Sequence, residues 1–142
     1  MQDKDSDDNL VQDYGTVLRE SAVLTAFAGI LFGFLFNTSV VASGSLVISD
    51  RISLLIALFS ITVAISLFIM PVIYHHLQYP YRDIEKFKQR SHRFMIFGLL
   101  PAGITLYLGL EIAFSMVMRA AFAYAFAALP FALVYIFFRM RK

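Results

Sequence analysis

The sequence predicts an all-α fold, a transmembrane bundle of four antiparallel helices, and three observations support this prediction. Hydrophobic residues make up 59% of the 142-residue chain and the mean hydropathy is +0.71, whereas soluble proteins contain roughly 45–50% apolar residues. Four apolar stretches are long enough to cross a bilayer as helices. Short polar segments separate them, so consecutive helices should run in opposite directions. The predicted spans are residues 22–42, 52–73, 94–110 and 120–138.

An acidic segment, residues 1–20, precedes the membrane domain, which we place at residues 21–142. Six of the ten acidic residues lie in this first segment. Residues 1–9 contain too few apolar side chains to pack, which predicts a solvated tail. Apolar residues then recur at helical spacing from Leu10 to Arg19, which predicts a short interfacial helix.

Small side chains mark packing surfaces on the first and fourth spans. Gly29 and Gly33 form a GxxxG pair, a pattern that lets a second helix approach closely. That second helix can belong to another copy of the chain or, as we favour, to the same chain. On the fourth span, four alanines at spacings of four, three and four predict another close contact: Ala121, Ala125, Ala128 and Ala132.

The connection between the second and third spans is basic and fixes the predicted orientation. Pro71 should kink or end the second helix just before this connection, and residues 83–93 should form a helical extension of the third span. With the connection in the cytoplasm, ten of the twelve Lys and Arg residues lie on that side and only Arg51 and Arg119 lie outside. Short loops rich in Lys and Arg stay cytoplasmic. The sequence therefore predicts a multi-pass protein of the cell membrane with both termini in the cytoplasm.

The bases of the connection also suit a negatively charged partner. Anionic lipid headgroups attract such clusters, and the five aspartates of the tail, at positions 3, 5, 7, 8 and 13, are a second candidate. The residues that we expect to contact lipid headgroups or the tail are Arg82, Lys86, Lys88, Arg90 and Arg93.

Histidines at the same boundary are weak metal candidates. His75 and His92 should lie at similar depth, and Asp83 or Glu85 could complete a zinc site. Adjacent His75 and His76 point about 100° apart on a helix, which is a poor chelating geometry. Ordinary interfacial histidines are the favoured interpretation, because no spaced ligand motif accompanies them. A pH-sensing role is also open.

Polar side chains inside the spans are sparse and roughly level with one another. This placement predicts a layer of interhelical hydrogen bonds near the outer side of the membrane, formed by Asn37, Ser60 and Thr105. The same residues, with Thr62 and Ser66, could instead line the lumen of an oligomeric channel or passive carrier. Glu111 and Arg119 bracket the outer turn near water and could form a weak pair.

The sequence lacks the motifs that several classes of protein function require. The chain has no cysteine, and no HExxH, GxSxG or phosphate-binding glycine loop is present, so we predict no enzyme activity and no cofactor. No acid, base or histidine is predicted well inside a span, which disfavours a proton-coupled carrier. The net charge of +2 gives no reason to expect a nucleic-acid partner.

Four features resemble a known family. They are Glu20 before the first span, the LFGFLF run at residues 31–36, YHHL at residues 74–77, and the basic entry to the third span. Together they resemble small prokaryotic four-helix membrane proteins described only as being of unknown function. The resemblance runs from Arg19 to the C-terminus, leaves the acidic tail outside, and implies four spans without an activity or a site.

The leading hypothesis is a non-enzymatic membrane protein that acts by association, with itself or with another membrane protein. The lipid bilayer is the predicted environment, and anionic headgroups are a candidate contact. The competing hypothesis is the small oligomeric channel or passive carrier described above.

Overall fold

The protein consists of four helices and contains no strand in residues 2–42, 44–78 and 84–141, which the computed structural model describes; side chains are described for residues 15–42, 44–77, 85–119 and 121–141. The helices are α1 (Gln2–Val41), α2 (Ile48–Gln78), α3 (Ile84–Ser115) and α4 (Ala120–Met140). Each contains a stretch long and apolar enough to cross a membrane. The predicted all-α fold with four spans is therefore confirmed. The candidate spans are Gly15–Val41, Ile48–Leu77, Glu85–Ser115 and Ala121–Met140.

α1 is one continuous helix, whereas the sequence predicted a short helix separate from the tail and from the first span. It runs from Gln2 to Val41 without a break. No proline interrupts this segment, and an existing helix extends at little cost because each added residue contributes one hydrogen bond. Acidic residues near a helix N-terminus also complement the helix dipole. The side chains of residues 1–14, including the five aspartates, lie outside the described set.

α2 and α3 form the most extensive helix–helix contact. Tyr74 stacks on Phe87 with ring centroids 5.7 Å apart, the Phe68 ring lies against Gly98, and the Thr105 hydroxyl lies 3.2 Å from the Ala57 carbonyl oxygen. Residue numbers therefore fall along α3 as they rise along α2. The two helices run in opposite directions.

The main hydrophobic core lies between α1, α2 and α3. Phe68, Ile61 and Ala28 are fully buried in it. Small alanines alternate with larger side chains, so the three helices interdigitate closely. No described side chain of α4 belongs to this core. The buried members of the core are Ala28, Leu35, Leu46, Leu54, Ala57, Ile61, Ala64, Phe68, Ala102 and Ile112.

α2 continues past Pro71 to Gln78. Of the two outcomes that the sequence predicts, a kink or an end of the helix, the second is therefore excluded. Pro71 has no N–H, which leaves the carbonyl of Leu67 without its usual donor. At the adjacent residue, the Ser21 hydroxyl of α1 donates a hydrogen bond to the Phe68 carbonyl. This contact ties α1 to α2 beside the proline.

α4 packs against α3 alone among the described helices. Ala123 and Ala127 are fully buried there. The rings of Tyr107 on α3 and Phe131 on α4 meet edge to face, with their centroids 6.0 Å apart. The packing surface therefore differs from the predicted alanine stripe. All four predicted residues are exposed: Ala121, Ala125, Ala128 and Ala132. Alanines are so frequent in α4 that two faces offered helical spacing, and the structure uses the other one.

Candidate functional site

A cluster of polar side chains lies at the end of the bundle opposite the connection between α2 and α3. Asp50 and Ser53 belong to the first turns of α2, Glu111 and Ser115 to the last turns of α3, and Tyr124 to α4. We call these five residues the acidic cluster. Three helices contribute to it, so its geometry depends on the packing of α4 as well as on the α2–α3 pair.

Asp50 is held by hydroxyl groups. The Ser115 hydroxyl donates to Asp50 Oδ2 at 2.8 Å across 65 residues of sequence, and the Ser49 hydroxyl lies 3.2 Å from Oδ1. Only 6% of Asp50 is exposed. Its carboxylate is therefore oriented by both of the helices that it bridges.

Glu111 is fully buried, and neither of its carboxylate oxygens has a hydrogen-bond partner among the described residues. The polar residues nearest to this carboxylate are Ser53, Asp50 and Tyr124. No pair forms with Arg119, which lies in the exposed turn before α4. The prediction that Glu111 stays near water is therefore wrong.

A signal for this burial was present in the sequence. Tyr107, Glu111 and Phe114 follow one another at spacings of four and three, which places them on one helix face. All three face α4, where Tyr107 contacts Phe131 and Phe114 contacts Phe126. Hydropathy places Glu111 at the outer end of the span, and this signal competes with the spacing that places it on the face toward α4.

A cleft of about 520 Å³ opens next to Asp50 and Ser115. The turn between α1 and α2 forms much of its wall, through Ser45 and Leu46, and Met116 closes the side next to α3. The cleft gives small solutes a route to the edge of the acidic cluster. Glu111 is not among the residues that line the cleft.

The predicted polar layer is only partly assembled. Ser60 and Thr105 are both buried at the α2–α3 contact, where the Thr105 hydroxyl is shared between the carbonyls of Ala57 at 3.2 Å and Pro101 at 2.9 Å. Asn37 is exposed on α1 and does not join them. Its side chain faces outward because the inner face of α1 is occupied by Ala28 and Leu35.

Gly29 and Gly33 also face outward. A Cβ atom built on either glycine would meet nothing within 4 Å among the described residues, so the favoured expectation of packing within the same chain is wrong. The glycines are part of a continuous exposed face of small residues that ends at Asn37. We call it the small-residue face: Ala22, Ala26, Gly29, Gly33 and Asn37.

At the basic end of the bundle, Arg82 lies outside the described residues and the other four bases are exposed. The Arg90 guanidinium donates to the Tyr74 hydroxyl at 2.8 Å and lies 5.8 Å from the centroid of the same ring. One base is thus fixed by an aromatic partner at the boundary. The exposed bases are Lys86, Lys88, Arg90 and Arg93.

The histidines do not assemble a metal site in the described part of the chain. The rings of His75 and His76 are 5.2 Å apart and tilted by 47°. No group of three or more described His, Asp or Glu side chains is placed to hold an ion. His92 and Glu85 do line one cleft of about 400 Å³ with Glu20 and Lys88, while Asp83 lies outside the described residues.

Four apolar helices, with large hydrophobic side chains exposed on their outer surfaces, define this protein as a multi-pass membrane protein, because lipid covers such surfaces on helices long enough to span a bilayer. The chain matches the profile of a family of unknown function, DUF6328, over residues 4–140, and it belongs to that family. The match includes most of the acidic segment, so it extends further toward the N-terminus than the resemblance seen in the sequence. No curated protein matches the chain. No solved structure matches it either.

Proposed function

We propose that this protein is a non-enzymatic membrane protein that acts by associating with a second copy of itself through the small-residue face of α1. The supporting observation is the position of Gly29 and Gly33. They lie on an exposed face of a membrane-spanning helix, with no described side chain or backbone within 4 Å of where a Cβ would be.

The shape of this face fits a second helix better than it fits lipid. In a bilayer, helices associate through close packing and interhelical hydrogen bonds, and small residues permit both. Neighbouring surfaces of α1 carry bulky side chains instead, with Phe27 48% exposed and Phe34 60% exposed. A face of small residues beside these phenylalanines is a surface that a helix of a second copy can approach closely.

Asn37 gives the association a polar contact. The side chain is exposed on the same face, within the candidate span Gly15–Val41. A side-chain amide in this setting can pair with its symmetry mate, and such hydrogen bonds contribute about 0.6 kcal/mol on average. A symmetric dimer would bring the two Asn37 residues to the same depth.

The channel alternative finds less support in the positions of its residues. Thr62 and Ser66 donate to carbonyls of their own helix at 2.8 and 2.9 Å, whereas Ser60 and Thr105 are buried between α2 and α3. Asn37 lies on α1. These residues face different directions in one chain, so a shared lumen remains a prediction without a geometric argument.

The orientation and the lipid contacts belong to the same proposal. We place the exposed bases Lys86, Lys88, Arg90 and Arg93 in the cytoplasm against anionic headgroups, because positive charge near spans favours that side. Both termini would then be cytoplasmic.

Cysteine cross-linking in native membranes tests the proposed face directly, since the chain contains no cysteine. Gly33→Cys and Phe34→Cys are a matched pair: the residues share the same bilayer depth but point about 100° apart. We expect an oxidative cross-linker to convert Gly33→Cys into dimers and to leave Phe34→Cys monomeric. Equal cross-linking of Gly33→Cys and Phe34→Cys would exclude this face. Ala26→Cys is a second variant on the same face, and an absence of cross-linking in both Gly33→Cys and Ala26→Cys would also exclude it.

A further inference from the structure

We propose that the acidic cluster binds one divalent hard cation, Ca²⁺ or Mg²⁺, through the carboxylates of Asp50 and Glu111. The site lies at the end of the bundle opposite the connection between α2 and α3. It is independent of the small-residue face, which is on α1.

The first argument is the state of Glu111. Its side chain is fully buried, and neither carboxylate oxygen has a hydrogen-bond partner in the described part of the protein. Burying an unpaired carboxylate costs several kcal/mol, and buried charges are normally paired or bound to metal. Asp50, by contrast, already accepts from the hydroxyl of Ser115 at 2.8 Å. Glu111 is the group that lacks a partner.

The second argument is charge balance. Glu111 lies four residues before Ser115 on the same face of α3, and Ser115 bonds Asp50, so the two carboxylates are neighbours. Arg51, the base next to Asp50 in the chain, directs its guanidinium to the Leu46 carbonyl at 3.0 Å. Two neighbouring carboxylates repel each other when both are ionised. One divalent cation neutralises both charges and converts the repulsion into shared attraction.

The third argument is the chemistry of the donors. All side chains of the acidic cluster present oxygen atoms, from two carboxylates and three hydroxyls. Oxygen-only sites favour Ca²⁺, Mg²⁺ and Mn²⁺ over softer ions that prefer nitrogen or sulfur. Two carboxylates are fewer than most calcium sites use, so waters or backbone carbonyls would supply the remaining ligands.

The fourth argument is access. The cleft of about 520 Å³ reaches Asp50 and Ser115 from the end of the bundle. A hydrated ion can reach Asp50 there without crossing the apolar core and exchange part of its water for the Asp50 carboxylate. Tyr124 of α4 borders the same carboxylate, so a bound ion would also link α4 to α2 and α3.

Direct binding to the purified full-length protein tests the proposal. The detergent-solubilised chain is stripped with EDTA, desalted and titrated with CaCl₂ or MgCl₂, and bound metal is counted by equilibrium dialysis. We expect one ion per chain. Glu111→Gln should weaken binding at least about tenfold, since even loss of an outer-shell partner has an effect of that size. Glu85→Gln removes the same charge from an exposed residue at the opposite end and should bind normally.

Asp50→Asn provides a second variant if Glu111→Gln does not yield folded protein by size-exclusion chromatography. The proposal is overturned if the wild-type chain binds neither ion, or if Na⁺ or a change of pH alone abolishes the difference between the wild type and the cluster variants. It is also overturned if Glu85→Gln loses binding as strongly as the cluster variants. A monomeric protein that still binds one ion would overturn the proposed association and leave this site intact.

Discussion

The ring of Phe68 on α2 lies directly against the backbone of Gly98 on α3. A Cβ atom built on Gly98 would lie 2.5 Å from Phe68 Cε1 and 2.8 Å from Cδ1. Phe68 is fully buried, so its ring has little room to move aside. The α2–α3 contact therefore requires glycine at position 98.

We predict that Gly98→Ala lowers the free energy of unfolding by about 1–3 kcal/mol, the usual effect of overpacking a filled core. Gly103→Ala is the control, because a Cβ there meets nothing within 4 Å and alanine favours the helix. Unfolding of the detergent-solubilised protein by denaturant measures both. Replacing the ring with a smaller side chain in Phe68→Leu should restore part of the stability that Gly98→Ala loses. If the two changes in unfolding free energy simply add, residues 68 and 98 are not in contact.

Ser21→Ala removes the hydrogen bond from α1 to the Phe68 carbonyl. We predict a loss of stability of about 0.6 kcal/mol, and no more than about 1.7 kcal/mol, the range found for such bonds between membrane helices. Thr25→Ala is a suitable comparison, since the Thr25 hydroxyl bonds within its own helix, to the Ser21 carbonyl at 2.8 Å. An equal loss of stability in both variants would mean that the hydrogen bond between α1 and α2 contributes no more than the bond within α1.

Thr105→Val tests the assembled part of the polar layer. The Thr105 hydroxyl is buried and shared between Ala57 and Pro101, so its loss should cost about 0.6 kcal/mol. Thr62→Val should be close to neutral, because the Thr62 hydroxyl bonds to its own helix on an exposed face. Denaturant unfolding of the two variants distinguishes these results, and a larger loss for Thr62→Val would contradict the assigned roles.

Orientation is tested by labelling single cysteines in intact cells. Val117 lies in the turn between α3 and α4 and is 82% exposed, whereas Gln89 is exposed at the opposite, basic end. We predict that an impermeant maleimide labels Val117→Cys and labels Gln89→Cys only after the cells are opened. The reverse pattern would place the bases outside and contradict the charge argument.

Hydropathy alone predicted the number of helices, because four long apolar runs separated by polar turns have few other stable forms in lipid. The helical extension before the third span was also correct, since α3 begins at Ile84. The continuity of α1 was missed because the acidic residues 1–9 give no periodic signal of their own. Attachment to a stable span, rather than local composition, makes that segment helical.

Which face of each helix packs could not be predicted from spacing. In α4, Ala123 and Ala127 repeat every four residues as regularly as Ala121 and Ala125, and only the first pair is buried. In α1, the glycines suggested contact within the chain, but α1 packs through Ala28 and Leu35 instead. Glu111 was misplaced for a related reason: its distance from the span end suggested water, while the structure turns it toward α4.

The mass of the particle extracted with its native lipid tests the central claim of association most directly. We predict a particle that contains at least two copies of the 16.1 kDa chain, and we predict that Gly33→Leu shifts it to one copy because the added side chain blocks the small-residue face. Val23→Leu, on a different exposed surface of α1, should leave the mass unchanged. A wild-type particle that contains a single copy at every protein-to-lipid ratio would contradict the proposal.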